Sequence, residues 1–166
     1  MDLAGLAGLA AALAASIEGS SLATWVRASA WAYPLVNLVH LLGLTLLIGP
    51  IGLLDLRLLG LGRRFALADV SDALTPWAVA GLVLLIVSGV LLFSADASPL
   101  HRNPLLQVKL ACILLGLANA LAFRRIWARR LADWDRHPPL SGRVQAFLSL
   151  MLWPVAASLG RLLAYK

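Results

Sequence analysis

Four long stretches of the chain are almost free of polar side chains. They run from about Trp31 to Leu54, from Pro76 to Phe93, from Pro104 to Phe123 and from Val144 to Leu163. A helix needs about 20 apolar residues to cross a hydrocarbon core, so each stretch predicts a membrane-spanning helix. Breaker clusters separate them, SADASPLHRNP before the third and HPPLSG before the fourth. Thr75–Pro76 and Asn103–Pro104 each pair a good N-cap with proline at the first helical position, which predicts helix starts at 76 and 104. Pro50, between Gly49 and Gly52, predicts a kink late in the first helix. The expected fold is all-α: an integral-membrane, up-down four-helix bundle over residues 31–166. A segment over residues 1–30 precedes it. Its MDLAGLAGLAAALAASIEG is apolar but short for a span, and Asp2 stands where a signal peptide would carry a basic residue. It reads as a short uncleaved helix lying at the membrane interface or packed on the bundle.

Composition supports a membrane chain. Of 166 residues, 61% are hydrophobic and 13% charged, with a mean hydropathy of +0.86, whereas soluble domains hold roughly 45–50% apolar residues. The net charge of +6 would suit nucleic acid if it formed a surface with interleaved aromatics. Instead Arg57, Arg63 and Arg64 follow the first run, and Arg124, Arg125, Arg129, Arg130, Arg136 and Arg143 lie between the third and fourth. These loops hold nine of the fourteen basic residues, which predicts a cytoplasmic position for both and an outside position for both termini and the 94–103 loop. Trp25, Trp31 and Tyr33 are expected at the outer interface, and Trp77, Trp127 and Trp134 at the inner one. The single Cys112 leaves no disulfide framework. Gly43, Gly81, Ser88, Gly89, Gly116, Ala120 and the AASLG of 156–160 are small enough to let helices touch.

Ionisable groups inside a membrane are costly and point to function. Those in or at the ends of the runs are His40, Lys109, Asp55 with Arg57, and Arg161. At ~1.5 Å rise per residue, His40 lies roughly 13 Å in from Trp31, and Lys109 roughly 8 Å in from Pro104. Both helices enter from the same side, so both residues belong to the outer leaflet, with Gln107, His101, Arg102 and Arg161 around or above them. His40 is too deep to snorkel and requires an internal partner. Asp55 and Arg57, two positions apart, do not face each other. Asp55 is expected to meet Arg124 or Arg125, with Asn119 one turn deeper, as a clamp at the inner end.

Several chemistries lack their parts. A copper cluster wants several Met, Cys or His ligands, and the chain has two Met, one Cys and no paired spacing. Zinc lacks carboxylates near His40, and no nucleophile-elbow motif is present. Haem needs less: one axial imidazole, a dry slot between helices, glycine for close approach of the ring, and cations for two propionates. His40 supplies the ligand and would bind the metal. Gly43, with Gly81 or Gly89, supplies the approach, and Lys109, Arg102 or Arg161 the cations. The sixth position is left to His101 folding inward, to a non-histidine group, or vacant.

The segments VHLLGLTLLIGPIGLLDLRLLG, AVAGLVLLIVSGVLLFSADA and NPLLQVKLACILLGLANALAFRR, over roughly residues 33–125, resemble an uncharacterised bacterial four-helix membrane family. More distantly they are similar to the membrane-bound, haem-containing protoporphyrinogen oxidase and to copper-resistance D-type proteins. In the oxidase family a first-helix histidine and a third-helix lysine carry function, and His40 and Lys109 match them. The resemblance implies haem b or a porphyrin substrate. Gln107 and Val108 stand where that family has a histidine beside its VKL, so the oxidase reaction itself is not carried over. The expected function is a haem b-binding protein of a bacterial inner membrane, serving electron transfer or another redox step, with no enzymatic reaction fixed. The expected partners are the bilayer and a redox protein or second copy of the chain, and no nucleic acid. The rival is an accessory subunit whose polar residues only lock helices together; copper or small-molecule transport is weaker for want of ligands.

Overall fold

The computed structural model describes residues 2–163 and residue 165, and among these every regular element is helical: α1 (Leu3–Glu18), α2 (Ser21–Ala28), α3 (Ala32–Leu59), α4 (Leu67–Ala95), α5 (Ala97–Leu100), α6 (Pro104–Trp127) and α7 (Leu140–Leu163), with a 3₁₀ turn at Ala128–Asp133. The all-α expectation holds. Four of these helices, α3, α4, α6 and α7, are long and apolar enough to cross a membrane. The protein is a multi-pass membrane protein by length and composition.

Local chemistry explains several boundaries. Asn103 Oδ1 accepts from Leu105 N–H at 2.9 Å, and Pro104 opens α6 as expected. Gly60, at φ 111°, closes α3, while Leu61 N–H reaches back to Leu56 O at 3.0 Å. Only glycine takes that left-handed position without strain. Pro76 differs from expectation. It lies inside α4, which begins nine residues earlier at Leu67. The Thr-Pro signal is local, whereas Leu67 is buried with Leu58, Trp127, Trp134 and Ala146. Burial of that turn outweighs a proline that would otherwise break the helix at a cost of about 3 kcal/mol. Pro50 and Pro154 also lie inside continuous helices.

The spans pack in a chain. α3 lies against α4 on one side and α7 on the other, and α6 lies against α7. No comparable packing joins α4 to α6, so that side is a thinly packed seam, bridged by Arg124 and Thr75. The α3–α4 contact is the closest. A Cβ added at Gly81 would stand 2.6 Å from Leu47 N, and one at Gly43 would stand 3.1 Å from Gly81 O. Small residues here let backbones approach as membrane packing requires.

The N-terminal helices α1 and α2 meet at a bend of 58°. α1 packs on α5 and α4, and α2 on α4 and α3. Arg27 donates to Ala95 O at 2.8 Å and Glu18 O at 2.9 Å, and Glu18 accepts from Ser98 N–H at 2.7 Å. The segment is tied to the end of α4.

A candidate polar site at the histidine end

His40 comes from the middle of α3 and Ser88 from the facing turn of α4. Its Nδ1 lies 2.8 Å from Ser88 Oγ, and Ser88 Oγ–H donates to Leu84 O, one turn back in the same helix. A hydroxyl carries one proton. Because that proton faces the carbonyl, Ser88 Oγ accepts from Nδ1–H. The imidazole is therefore held as the Nδ1–H tautomer, and its Nε2 keeps a free lone pair. This is the arrangement by which a neighbouring acceptor orients a histidine ligand. Gly89 extends the site, since a Cβ there would stand 3.5 Å from His40 Cε1. Ser88 was read from sequence as a packing residue only. Counting from the helix ends would have placed it beside the histidine: His40 is eight residues from Ala32, and Ser88 seven from Ala95.

Lys109, on α6, is half-buried and folds across α7. A Cβ at Gly160 would meet its Nζ at 3.0 Å and its Cε at 3.3 Å. His40 and Lys109 come from the same end of the bundle, eight residues into α3 and five into α6. His40, Gly89 and Lys109 are thus gathered at one end of the bundle, from α3, α4 and α6.

The remaining candidates fall away from this group. Gly43 is closed by the backbone of α4 and offers no room to a ring. His101 has both nitrogens engaged, Nδ1 with Ala97 O at 3.3 Å and Nε2 accepting from Arg102 at 3.2 Å. Arg102 itself is exposed. Arg161 donates to Tyr165 OH at 2.8 Å and lies over its ring. Gln107 donates to His101 O. Among the described residues no group of three or more His, Cys, Asp or Glu could hold a metal ion.

The arginine-rich end is built differently from the expected clamp. Arg124 donates to Thr75 Oγ1 rather than to Asp55, and Asn119 donates to Gln145 O at 2.9 Å. Arg57 is buried, gives Nε to Phe65 O at 2.9 Å, and grips both oxygens of Asp135, the Nη1–Oδ1 arm at 3.0 Å. Asp135 lies in the loop before α7, and the Arg57 guanidinium holds its carboxyl below the usual carboxylate range. Trp127 and Trp134, expected at a membrane interface, are buried. Their ring nitrogens donate to Gln145 Oε1 at 2.8 Å and Leu58 O at 3.1 Å. Trp25, Trp31 and Trp77 are exposed, as an interfacial belt requires.

These features define a helical membrane protein with one end stapled by arginine and tryptophan and the other carrying a histidine–lysine group. The chain belongs to the family of unknown function DUF6644, whose model matches residues 18–166. No curated protein and no solved structure matches it.

Proposed function

We propose that the protein is a haem b-binding membrane protein in which His40 Nε2 would ligate the iron. The observation that carries this reading is the His40–Ser88–Leu84 relay, which fixes the tautomer and leaves Nε2 as a free base. The donor set suits a porphyrin iron, for which a single oriented imidazole suffices. Gly89 leaves the edge of that imidazole uncovered, and Lys109 supplies one cation for a propionate. Arg102, Arg161 and His101 are engaged elsewhere and drop out of the ligand set. When bound, haem supplies one-electron chemistry. His40 orients and ligates, Ser88 holds the tautomer, and Lys109 balances charge. The distant likeness to the haem-containing oxidase, resting on His40 and Lys109, agrees with this reading. The arginine excess supports a cytoplasmic position for the α3–α4 and α6–α7 loops, both termini outside, in a bacterial inner membrane, with a redox protein or a second copy as the partner.

The absorption spectrum of the purified protein, oxidised and reduced, tests the proposal. A Soret band is expected that is lost in His40→Ala and weakened in Ser88→Ala, where outer-shell loss typically costs about 10–100-fold in affinity. No Soret band after haem supplementation, or a band unchanged in His40→Ala, overturns it. The second reading, a non-catalytic accessory subunit, is favoured by the His40–Ser88 hydrogen bond, which itself joins α3 to α4. It expects His40→Ala to lower thermal stability and leave no spectral trace.

A further inference from the structure

Two buried side-chain polar atoms among the described residues lack a hydrogen-bond partner, Asp55 Oδ2 and Trp153 Nε1. Both residues line one cavity of about 250 Å³ between the four spans, in the half of the bundle away from His40. Asp55 is 6% exposed and Trp153 5%. One atom is an acceptor and the other a donor. An orphaned buried polar group costs about 1–3 kcal/mol, more when charged, and native proteins keep few of them. The neighbouring polar groups are committed elsewhere: Arg57 to Asp135, Arg124 to Thr75, and the Asn119 amide to Gln145 O. Ser149 stands beside the Asp55 carboxyl, yet Oδ2 remains unmet.

The missing partner must donate and accept. An ammonium satisfies the carboxylate but has no lone pair for the indole N–H, and a ketone or ether satisfies the indole but brings no proton. A hydroxyl does both. The route in is through the membrane, because Val79 of α4 and Leu121 of α6, which line the cavity along the thinly packed seam, are 53% and 58% exposed. The rest of the lining is largely aliphatic, with the rings of Trp153 and Phe123, which suits a flat apolar body. We propose that this cavity binds a lipid-soluble hydroxylated ring compound of the phenol or hydroquinone class, its O–H donated to Asp55 and a ring oxygen accepting from Trp153 Nε1. The site is separate from the histidine group and stands whatever His40 binds.

The full chain in lipid nanodiscs, labelled with ¹⁵N at its indoles, provides the test. Trp153→Phe assigns the resonance, and 4-butylphenol and its methyl ether are titrated in parallel. The phenol is expected to shift the Trp153 N–H signal saturably. The ether, which cannot donate to Asp55, should bind about tenfold more weakly, the value of one hydrogen bond to a charged group. Asp55→Leu should abolish saturation, and so should Ala120→Phe, which fills the cavity and leaves the carboxylate in place. Equal binding of phenol and ether, no saturable shift, or an undiminished shift in Ala120→Phe overturns the proposal and leaves a cavity holding water or lipid chains only.

Discussion

The two ends of the bundle solve the problem of a polar group in an apolar helix in opposite ways. At the arginine-rich end, Arg57 is sealed by Phe65 O and Asp135 beneath a core of Leu58, Leu67, Trp127, Trp134 and Ala146. Trp127 and Trp134 likewise give their ring N–H groups to acceptors on other elements, Gln145 Oε1 and Leu58 O. At the other end, His40 is half-buried, takes a single serine, and keeps its second nitrogen uncommitted, while Lys109 lies along Gly160. The guanidinium is held from two loops, the imidazole from one helix.

The comparison breaks most readily at the contact that holds both ends in register. Gly81→Leu has no room, because even a Cβ would press on the backbone of α3. It is expected to destabilise by at least about 3 kcal/mol, the upper range for overpacking. Thermal unfolding followed by thiol-reactive labelling of Cys112, the only cysteine, would register it. Asp135→Ala should come next. It strands a buried guanidinium, but because Asp135 is itself 42% exposed the loss should be about 2 kcal/mol, below the 3–5 typical of a fully buried pair. The same assay should find Ser88→Ala milder still, about 1 kcal/mol for one hydrogen bond. A Ser88→Ala loss matching that of Asp135→Ala would erase the contrast between a stapled end and a chemical one.

Acid gives the gentlest probe. Asp135 has a folded-state pKa below its ordinary value of 3.8, chiefly through its hydrogen bonds from Arg57. Its contribution is therefore complete above that ordinary value and is lost as pH falls through the lower, folded one. In the wild type, tryptophan fluorescence should show a step as pH falls below about 4. In Asp135→Ala that step should be absent.

The spans were legible because length and apolarity alone define them, as they do from Ala32 to Leu59. Their ends were less so. Leu67–Thr75 joined α4 through the burial of Leu67, which no local signal announces, and the Thr-Pro pair pointed elsewhere. His40 was expected to need an internal partner, and Ser88 Oγ stands 2.8 Å from its Nδ1. Tertiary choice decided the other pairings differently: Asp55 was expected to meet Arg124 or Arg125, yet the Arg124 guanidinium chose Thr75, and Arg57 found a carboxylate 78 positions away. Trp153 carried no sign of its orphaned N–H, since an indole in an apolar run looks like any other core aromatic.

The ties that fasten α1 and α2 also set an order of events. Glu18 meets Ser98 across 80 positions and Arg27 meets Ala95 across 68. A ribosome must therefore deliver two complete spans before either tie can close. Until then α2 has, besides α1, only α3 to pack on. The first segment synthesised is among the later ones to be fixed in place.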